Sequence, residues 1–332
     1  MIRRGAGWLA LAAFTPFWPS SAGAQVLPVP VVVQPTSLVQ QLEAIATVPA
    51  GRVGIAAIDL ASGREVDVHG GEAFPMASVV KIAVAAAYLA EVDAGRRSLT
   101  KTITLDESIR SGSDGIGKLM LHPGVILSAA NLIELMLAVS DNTATDMLVA
   151  DLGGTQAVQR WLDRNRVAGV RIDREIARLV LDNLGLSMLS GKTAAQTLWA
   201  SDPLTIEARA VAVASFDVDP RDTASPLAIA RLLARLDKGE MLKPASRTFL
   251  FDVMARCRTG TDRISAGVPV GTPVAHKTGT LAGISNDVGI VTLPDKRRLA
   301  IAVFTRGMAE GPARAKVIAD ATRAVVTAWS TR

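Results

Sequence analysis

Strand-forming segments lie near both ends of this chain, and a long helix-forming block lies between them. Arg52–Leu60 (RVGIAAIDL) reads as a strand, Ala61-Ser62-Gly63 as a turn and Arg64–Val68 as a hairpin partner. Far downstream come three more β-rich runs, VAHKTGTL from Val274, DVGIVTLP from Asp287 and RLAIAVFTR from Arg298. Gly283-Ile284-Ser285-Asn286 and Pro294-Asp295-Lys296-Arg297 separate them. The two groups together predict one sheet assembled from both halves of the chain, with the helical block inserted between its second and third strands. Two lobes and one cleft follow, and a cleft is where a site most often lies.

The inserted block has helical spacing throughout. Val79–Val92 is apolar nearly all round, as a buried helix is. Asn131–Val139 is a second buried helix, and Thr143–Leu152, closed by Gly153-Gly154, a third. Pro226–Leu236 and Ala245–Cys257 continue the pattern. Ser37–Ala46 opens the folded part as a helix, and Ala313–Trp329 ends it.

Upstream of that part the chain reads as a processing signal. Arg3 and Arg4 precede an apolar stretch from Trp8 to Trp18, and Ala22-Gly23-Ala24 offers small residues for cleavage before Gln25. The stretch is shorter than the ~20 residues needed to span a bilayer. We therefore expect a signal peptide at 1–24, a Pro/Val-rich tether at 25–36 (QVLPVPVVVQPT) and a catalytic domain at 37–332. Within that domain the sheet lobe comprises 37–75 plus 258–332, and the helical lobe 76–257. A periplasmic or secreted protein with no stable membrane insertion is the expectation.

Charge excludes some functions. Net charge is +5, but the basic residues are scattered among acids, as at Asp173-Arg174-Glu175 and Arg221-Asp222, and aromatics make up only 4%. A nucleic-acid binder would show a basic stripe and stacking rings. His69, His122 and His276 are far apart in sequence and read as surface or packing residues, so no metal and no other cofactor is expected. Cys257, the single cysteine, permits no internal disulfide and reads as a buried inert thiol. GLSMLSGKT at Gly185–Thr193 falls short of a phosphate-binding loop, since its glycine spacing is wrong and no strand precedes it. No assembly signal is visible, so a monomer is the default.

Two serine–lysine pairs have the S-x-x-K spacing, MASVVK with Ser78 and Lys81, and SLTK with Ser98 and Lys101. The second lies in an exposed turn, where nothing would desolvate Lys101. In the first, Ser78 stands at the opening turn of an apolar helix, and three residues on, Lys81 shares its face. Burial among Val79, Val80 and Ile82 presses Lys81 to lose its proton, which makes it a base for the serine. The helix start aims N–H dipoles at developing negative charge. Ser140-Asp141-Asn142 at a helix break and Lys277-Thr278-Gly279 in the first late strand complete the set. Any one tripeptide matches by chance on the order of 5% of the time, but the ordered trio is far rarer.

S-x-x-K, S-D-N and K-T-G in this order are the signature of class A β-lactamases and penicillin-binding proteins. From about Ser37 to Trp329 the chain resembles a class A serine β-lactamase, in the blocks FPMASVVK, VSDNTATDMLVADLGG, DPRDTASP and HKTGT. The resemblance implies an α/β fold of the α+β sandwich kind, the serine β-lactamase/DD-peptidase-like fold, with an antiparallel sheet flanked by helices and an inserted all-helical lobe. It implies Ser78 as nucleophile, Lys81 as its base and Ser140 as the proton carrier to the leaving nitrogen. It implies Asn142, Lys277, Thr278, Gly279 and Thr280 as substrate-binding residues, with the Ser78 and Thr280 N–H groups as oxyanion hole. Arg263 resembles an arginine that some relatives aim at the substrate carboxylate; the alternative is a surface salt bridge. Asp141 reads as a loop-fixing residue.

The family's water-activating glutamate stands in R-x-D-R-W-E-x-x-L-N, whereas this chain has Arg171-Ile172-Asp173-Arg174-Glu175 without the tryptophan. Glu175 is thus either the hydrolytic base or a helix-start acid. Lys81, Asp182, Asp202 and Glu207 are the other candidates for the base. The stretch Ile176–Val218 before DPRDTASP reads as an expanded loop. The implied partner is a small-molecule β-lactam, or alternatively a D-Ala-D-Ala-like peptide handled by a carboxypeptidase or esterase that deacylates slowly. Lys81→Ala is expected to abolish the benzylpenicillin adduct in intact-mass measurements, and Lys101→Ala to leave it unchanged. Equal effects would mean that the wrong pair has been chosen.

Overall fold

In a computed structural model, residues 37–112, 115–308 and 311–330 are described, so the expected signal peptide and tether lie outside them. Five strands form one antiparallel sheet in the spatial order Glu65–Val68, Arg52–Asp59, Arg298–Arg306, Ile284–Thr292 and Val274–Leu281. The early strand Arg52–Asp59 pairs with Arg298–Arg306 from Arg52 opposite Arg306 to Asp59 opposite Leu299. That pairing joins the two ends of the fold, as the strand distribution predicts.

Alternation along the central strand sorts the core into two layers. Leu299, Ile301 and Val303 face one side, where they meet Leu42, Ile318, Val325 and Trp329. The helices Leu38–Ala46 and Gly311–Ser330 cover that side. Ser37 opens the first of them with a capping box: its hydroxyl accepts from Gln40 N while the Gln40 side chain accepts from Ser37 N. Ala300, Ala302 and Phe304 face the other side and join the larger core with Tyr88, Leu137, Leu148 and Leu233. A period of two, apolar on both faces, is what a strand buried between helical layers requires.

The helix Val80–Asp93 runs through this larger core, with every residue from Val80 to Leu89 buried, Lys81 included. Ala129–Ala138, Asn142–Leu152 and Pro244–Ala255 pack around it. Asn142–Leu152 ends on Gly153 at φ +93°, a left-handed cap that glycine adopts without steric cost. Pro226–Asp237 and Pro244–Ala255, which lie within the helical block in sequence, pack on the sheet itself. Between Arg174 and Asp222 the chain forms three more helices, Ile176–Leu184, Ala194–Ala200 and Ile206–Asp217. Among the described residues no helix is long and apolar enough to cross a membrane.

Phe304 is fully buried in the central strand, its ring centroid 6.1 Å from that of Phe74. Truncation to alanine leaves a cavity between sheet and helices. Phe304→Ala is expected to lower the unfolding free energy by about 3–5 kcal/mol in urea titration. A loss under ~1 kcal/mol would show that the core collapses onto the gap.

Candidate active site

The short strand Phe74–Pro75 leads into the turn Ala77–Val79 that opens the central helix, and Ser78 is on that turn. Ala77 has φ +49°, a left-handed conformation that costs a residue with a Cβ roughly 1–2 kcal/mol. Neighbours hold it there. Asn286 Nδ2 donates to Pro75 O at 2.8 Å and to Met76 O at 3.1 Å, and Met76 N donates to Asp222 O at 2.9 Å. Ser78 is partly exposed, while Ala77 and Val79 on either side are buried.

Lys81, one turn further, has no exposure. Its Nζ lies 2.6 Å from Ser140 O, 3.2 Å from Ser140 Oγ and 2.7 Å from Asn142 Oδ1. Burial holds its pKa well below the usual lysine value. The Lys277 charge adds to that, and Asp141 and Asp146 oppose it. Asp141 does fix the loop: Oδ1 accepts from Ala144 N at 2.7 Å, capping the helix, and Oδ2 from Ile116 N at 2.6 Å. Ser140 sits at φ +61°, a backbone twist that turns both its carbonyl and its hydroxyl toward the lysine.

The third motif comes from the sheet edge. Gly279 in Val274–Leu281 lies so close to the serine turn that a Cβ there would stand 2.5 Å from Met76 O and 3.2 Å from Ala77 Cβ. Only glycine allows this approach. Lys277 is fully buried, donates to Thr278 O at 3.0 Å, and is brought down to about 8, chiefly by burial. Thr278 Oγ1 lies 2.5 Å from Thr259 Oγ1. Arg263 donates to Thr280 Oγ1 at 2.8 Å, Gly279 O at 3.2 Å and Asn286 O at 2.9 Å. Its hydrogen bonds therefore go to the K-T-G strand and its neighbour rather than to a surface acid.

Glu175 is exposed and stands at the cap of Ile176–Leu184, where its side chain makes no capping bond. No hydrogen bond joins it to Lys81. Its link to the cluster runs through Asp146, which sequence reading passed over. Asp146 is fully buried and accepts from Ile176 N at 2.8 Å and Ala177 N at 3.0 Å. Burial raises its pKa to about 7 against those two bonds; the Glu175 charge adds to the rise and that of Lys81 opposes it. The signal was present, since Asp146 lies four residues after Asn142 and so on the same helix face.

Arg174 closes the segment, with Nε 2.5 Å from Asp222 and Nη1 2.7 Å and 3.0 Å from Asp182 and Asp219. Asp182 is thereby tied up, and Asp202 and Glu207 are exposed. Leu179 shares a small apolar cluster with Ala77, Phe216 and Ile284, against which Leu281 packs.

Other sequence features resolve plainly. The side chains of Ser98 and Lys101 do not pair: Ser98 Oγ lies 2.7 Å from Thr100 Oγ1, and half-exposed Lys101 pairs with Asp151. Thr193, the last residue of GLSMLSGKT, caps Ala194–Ala200. His69 Nδ1 lies 2.8 Å from Val53 O, and His122 is exposed. His276 is buried with Nδ1 2.9 Å from Asp287 Oδ1. Cys257 corrects the reading of a buried thiol: it is partly exposed, with Sγ 3.3 Å from Thr259 Oγ1. Sequence spacing gave no sign of the His276–Asp287 contact, which joins paired strands.

Residues 37–329 match the family described as "Beta-lactamase enzyme family". The chain is 25% identical over 297 residues to β-lactamase VEB-1 of Pseudomonas aeruginosa, an alignment spanning 86% of this chain and 88% of that one. It is 30% identical over 278 residues to a β-lactamase of Streptomyces albus G, spanning 82% and 78%. The solved structure of the last common ancestor of Gram-negative bacteria class A β-lactamase superposes with a TM-score of 0.73 at 32% identity, covering 89% of this chain and 100% of that one.

The His276–Asp287 pair makes stability depend on pH. Burial alone would lower the imidazole; the Asp287 carboxylate outweighs it and raises the ring from 6.5 to about 10. A raised pKa means that the pair's contribution is complete below about pH 6.5 and is lost as pH rises through about 10. In urea titrations the advantage of wild type over His276→Gln is expected to shrink by roughly 2–4 kcal/mol between pH 6 and pH 10. A gap that stays constant would mean a ring neutral at both.

Proposed function

The chain belongs to the β-lactamase enzyme family and is a class A β-lactam hydrolase, and we propose that it opens the ring through an acyl-enzyme on Ser78. The observation that carries this reading is the fully buried Lys81, whose Nζ meets both Ser140 and Asn142 next to the serine turn. A neutral amine keeps two N–H groups for the Ser140 carbonyl and the Asn142 amide oxygen and turns its lone pair to a hydroxyl. That lone pair takes the Ser78 proton as Oγ attacks the lactam carbonyl. The carbonyl oxygen becomes an oxyanion between the N–H groups of Ser78 and Thr280, a contact commonly worth about 3–4 kcal/mol. Ser140, bonded to Lys81, delivers the proton to the ring nitrogen as its bond to carbon breaks.

Recognition falls to the sheet edge. Lys277 and Thr278 bind the substrate carboxylate, with Arg263 holding Thr280 and adding positive charge beside it. Gly279 keeps that edge against the serine turn, and Asn142 meets the substrate's side-chain amide. We place the enzyme in the periplasm or outside the cell, as a monomer, on the leader-like features of Met1–Ala24 and the lack of an assembly signal.

Hydrolysis of the acyl-enzyme requires a base for water. Glu175 is assigned this role because it is open to solvent, whereas both oxygens of Asp146 are held by backbone N–H groups and Asp182 is paired with Arg174. Asp146 then acts as a positioning residue that pins the helix immediately after Glu175. With benzylpenicillin followed by intact mass, Glu175→Gln is expected to trap the Ser78 adduct and lower turnover at least a hundredfold. Unchanged turnover would move the role to Lys81. A stable adduct on the wild type, together with D-alanine release from a peptide, would favour the slow-deacylating carboxypeptidase.

A further inference from the structure

The reaction leaves the middle of the segment Arg174–Asp222 without a task. Its second helix, Ala194–Ala200, docks at both ends on the stretch Ser108–Gly112. At the start of the helix Thr193 Oγ1 donates to Ser108 O, while the same hydroxyl accepts from Gln196 N at 3.2 Å. Near its end Trp199 Nε1 donates to Arg110 O at 2.9 Å. The indole lies along the chain there, since a Cβ on Gly112 would stand 3.6 Å from Trp199 Cζ2. Trp199 is nevertheless 52% exposed. A ring retained for packing alone would be hidden, and here it is the polar edge that is fixed.

The carbonyl that Trp199 holds belongs to the same peptide group as the Ser111 N–H. That N–H donates to Thr143 Oγ1 at 3.0 Å, and Thr143 Oγ1 lies 3.3 Å from Ser111 O. A peptide group is planar, with its C=O and N–H pointing opposite ways. One rigid plate therefore joins Trp199 to Thr143, and the hydrogen bonds on its two edges polarise each other. Thr143 is fully buried and directly follows Asn142, whose Oδ1 accepts from Lys81. A few residues on, Ile116 N donates to Asp141 Oδ2 at 2.6 Å, so the same stretch of chain grips the S-D-N motif twice.

We propose that Trp199 is a positioning residue for the S-D-N motif: through the Arg110–Ser111 peptide group it fixes Thr143, and with it the placement of Ser140 and Asn142 against Lys81. Loss of the indole N–H lets the peptide group tilt, and the acceptors around Lys81 shift with Thr143. Misplacing reacting groups by ~1 Å can cost about a hundredfold in rate. Ser140 and Asn142 act while Ser78 is being acylated, so the effect falls on acylation and not on hydrolysis of the acyl-enzyme. That division rests on the roles assigned to them above. The helix has a second contact, Leu189 N donating to Thr197 Oγ1 at 3.3 Å, which leads back toward the helix after Glu175. An effect through that route would fall on hydrolysis instead.

The test compares the full chain with Trp199→Phe, which keeps a ring and removes the N–H, using benzylpenicillin. The value of kcat/KM, which reports the steps through acylation, is expected to fall about tenfold. The fraction of enzyme carrying the Ser78 adduct at saturating substrate, read by quenching and intact mass, is expected to stay at or below that of wild type. Thr143→Val cuts the other end of the peptide bridge, so adding Trp199→Phe to it is expected to lower kcat/KM by less than about twofold more. Should Thr143→Val not fold, Thr193→Val, which loses the tie to Ser108, is expected to share the loss, and Thr193→Ser to keep the wild-type value. A raised adduct fraction would place the effect on hydrolysis and overturn the proposal. So would an unchanged kcat/KM in Trp199→Phe, or a full additional loss in the double variant. A wild type that neither hydrolyses benzylpenicillin nor forms the adduct overturns the acyl-enzyme reading itself, and this role with it.

Discussion

An amine with no solvent exposure inside an apolar helix is the constraint around which the structure is arranged. Even after relaxation, burying one charge costs several kcal/mol. Lys81 meets that cost with three oxygen acceptors, all supplied by Ser140 and Asn142 from a loop 59–61 residues later in the chain. Those acceptors are in place only because Asp141 ties the loop to Ile116 and caps the following helix. The helical layer is thus folded around one polar contact, and burial at that contact holds the Lys81 pKa well below the usual lysine value.

The segment from Arg174 to Asp222 is built as three helices anchored at its ends. Its two ends are clamped together by a buried ion pair and by Asp222 accepting from the Asp173 and Arg174 N–H groups, while Met76 N, donating to Asp222 O, ties them to the start of the serine turn. Asp146 adds a second anchor at the start of the first helix. Beyond these anchors the chain exposes Ile206, Val211 and Val218, residues a core would have hidden.

The sheet contributes a second buried lysine and a polar layer behind it. Lys277, His276 and Asp287 lie on neighbouring strands, with Asp287 opposite Thr278 in register and Asn286 opposite Gly279. Asn286 reaches across to the backbone before Ser78, so the strand next to the K-T-G strand also sets where the serine turn sits. The placement of Lys277 and the position of the serine turn are therefore properties of one pair of strands.

Local pattern determined the main elements of this protein and which polar residues lie in apolar surroundings. Alternation in RLAIAVFTR required a strand with two buried faces, the unbroken apolar run after Ser78 required an interior helix, and a lysine within that run had to be dry. The choice between Ser78–Lys81 and Ser98–Lys101 was legible for the same reason, since only one pair lies in apolar surroundings. Tertiary structure alone decided what those groups touch. Asp146 under Glu175, Asn286 behind the serine turn, Arg263 on the K-T-G strand and His276 against Asp287 all depend on strand register and helix packing. Such contacts join residues far apart in the chain, and no spacing along it encodes the distance between them.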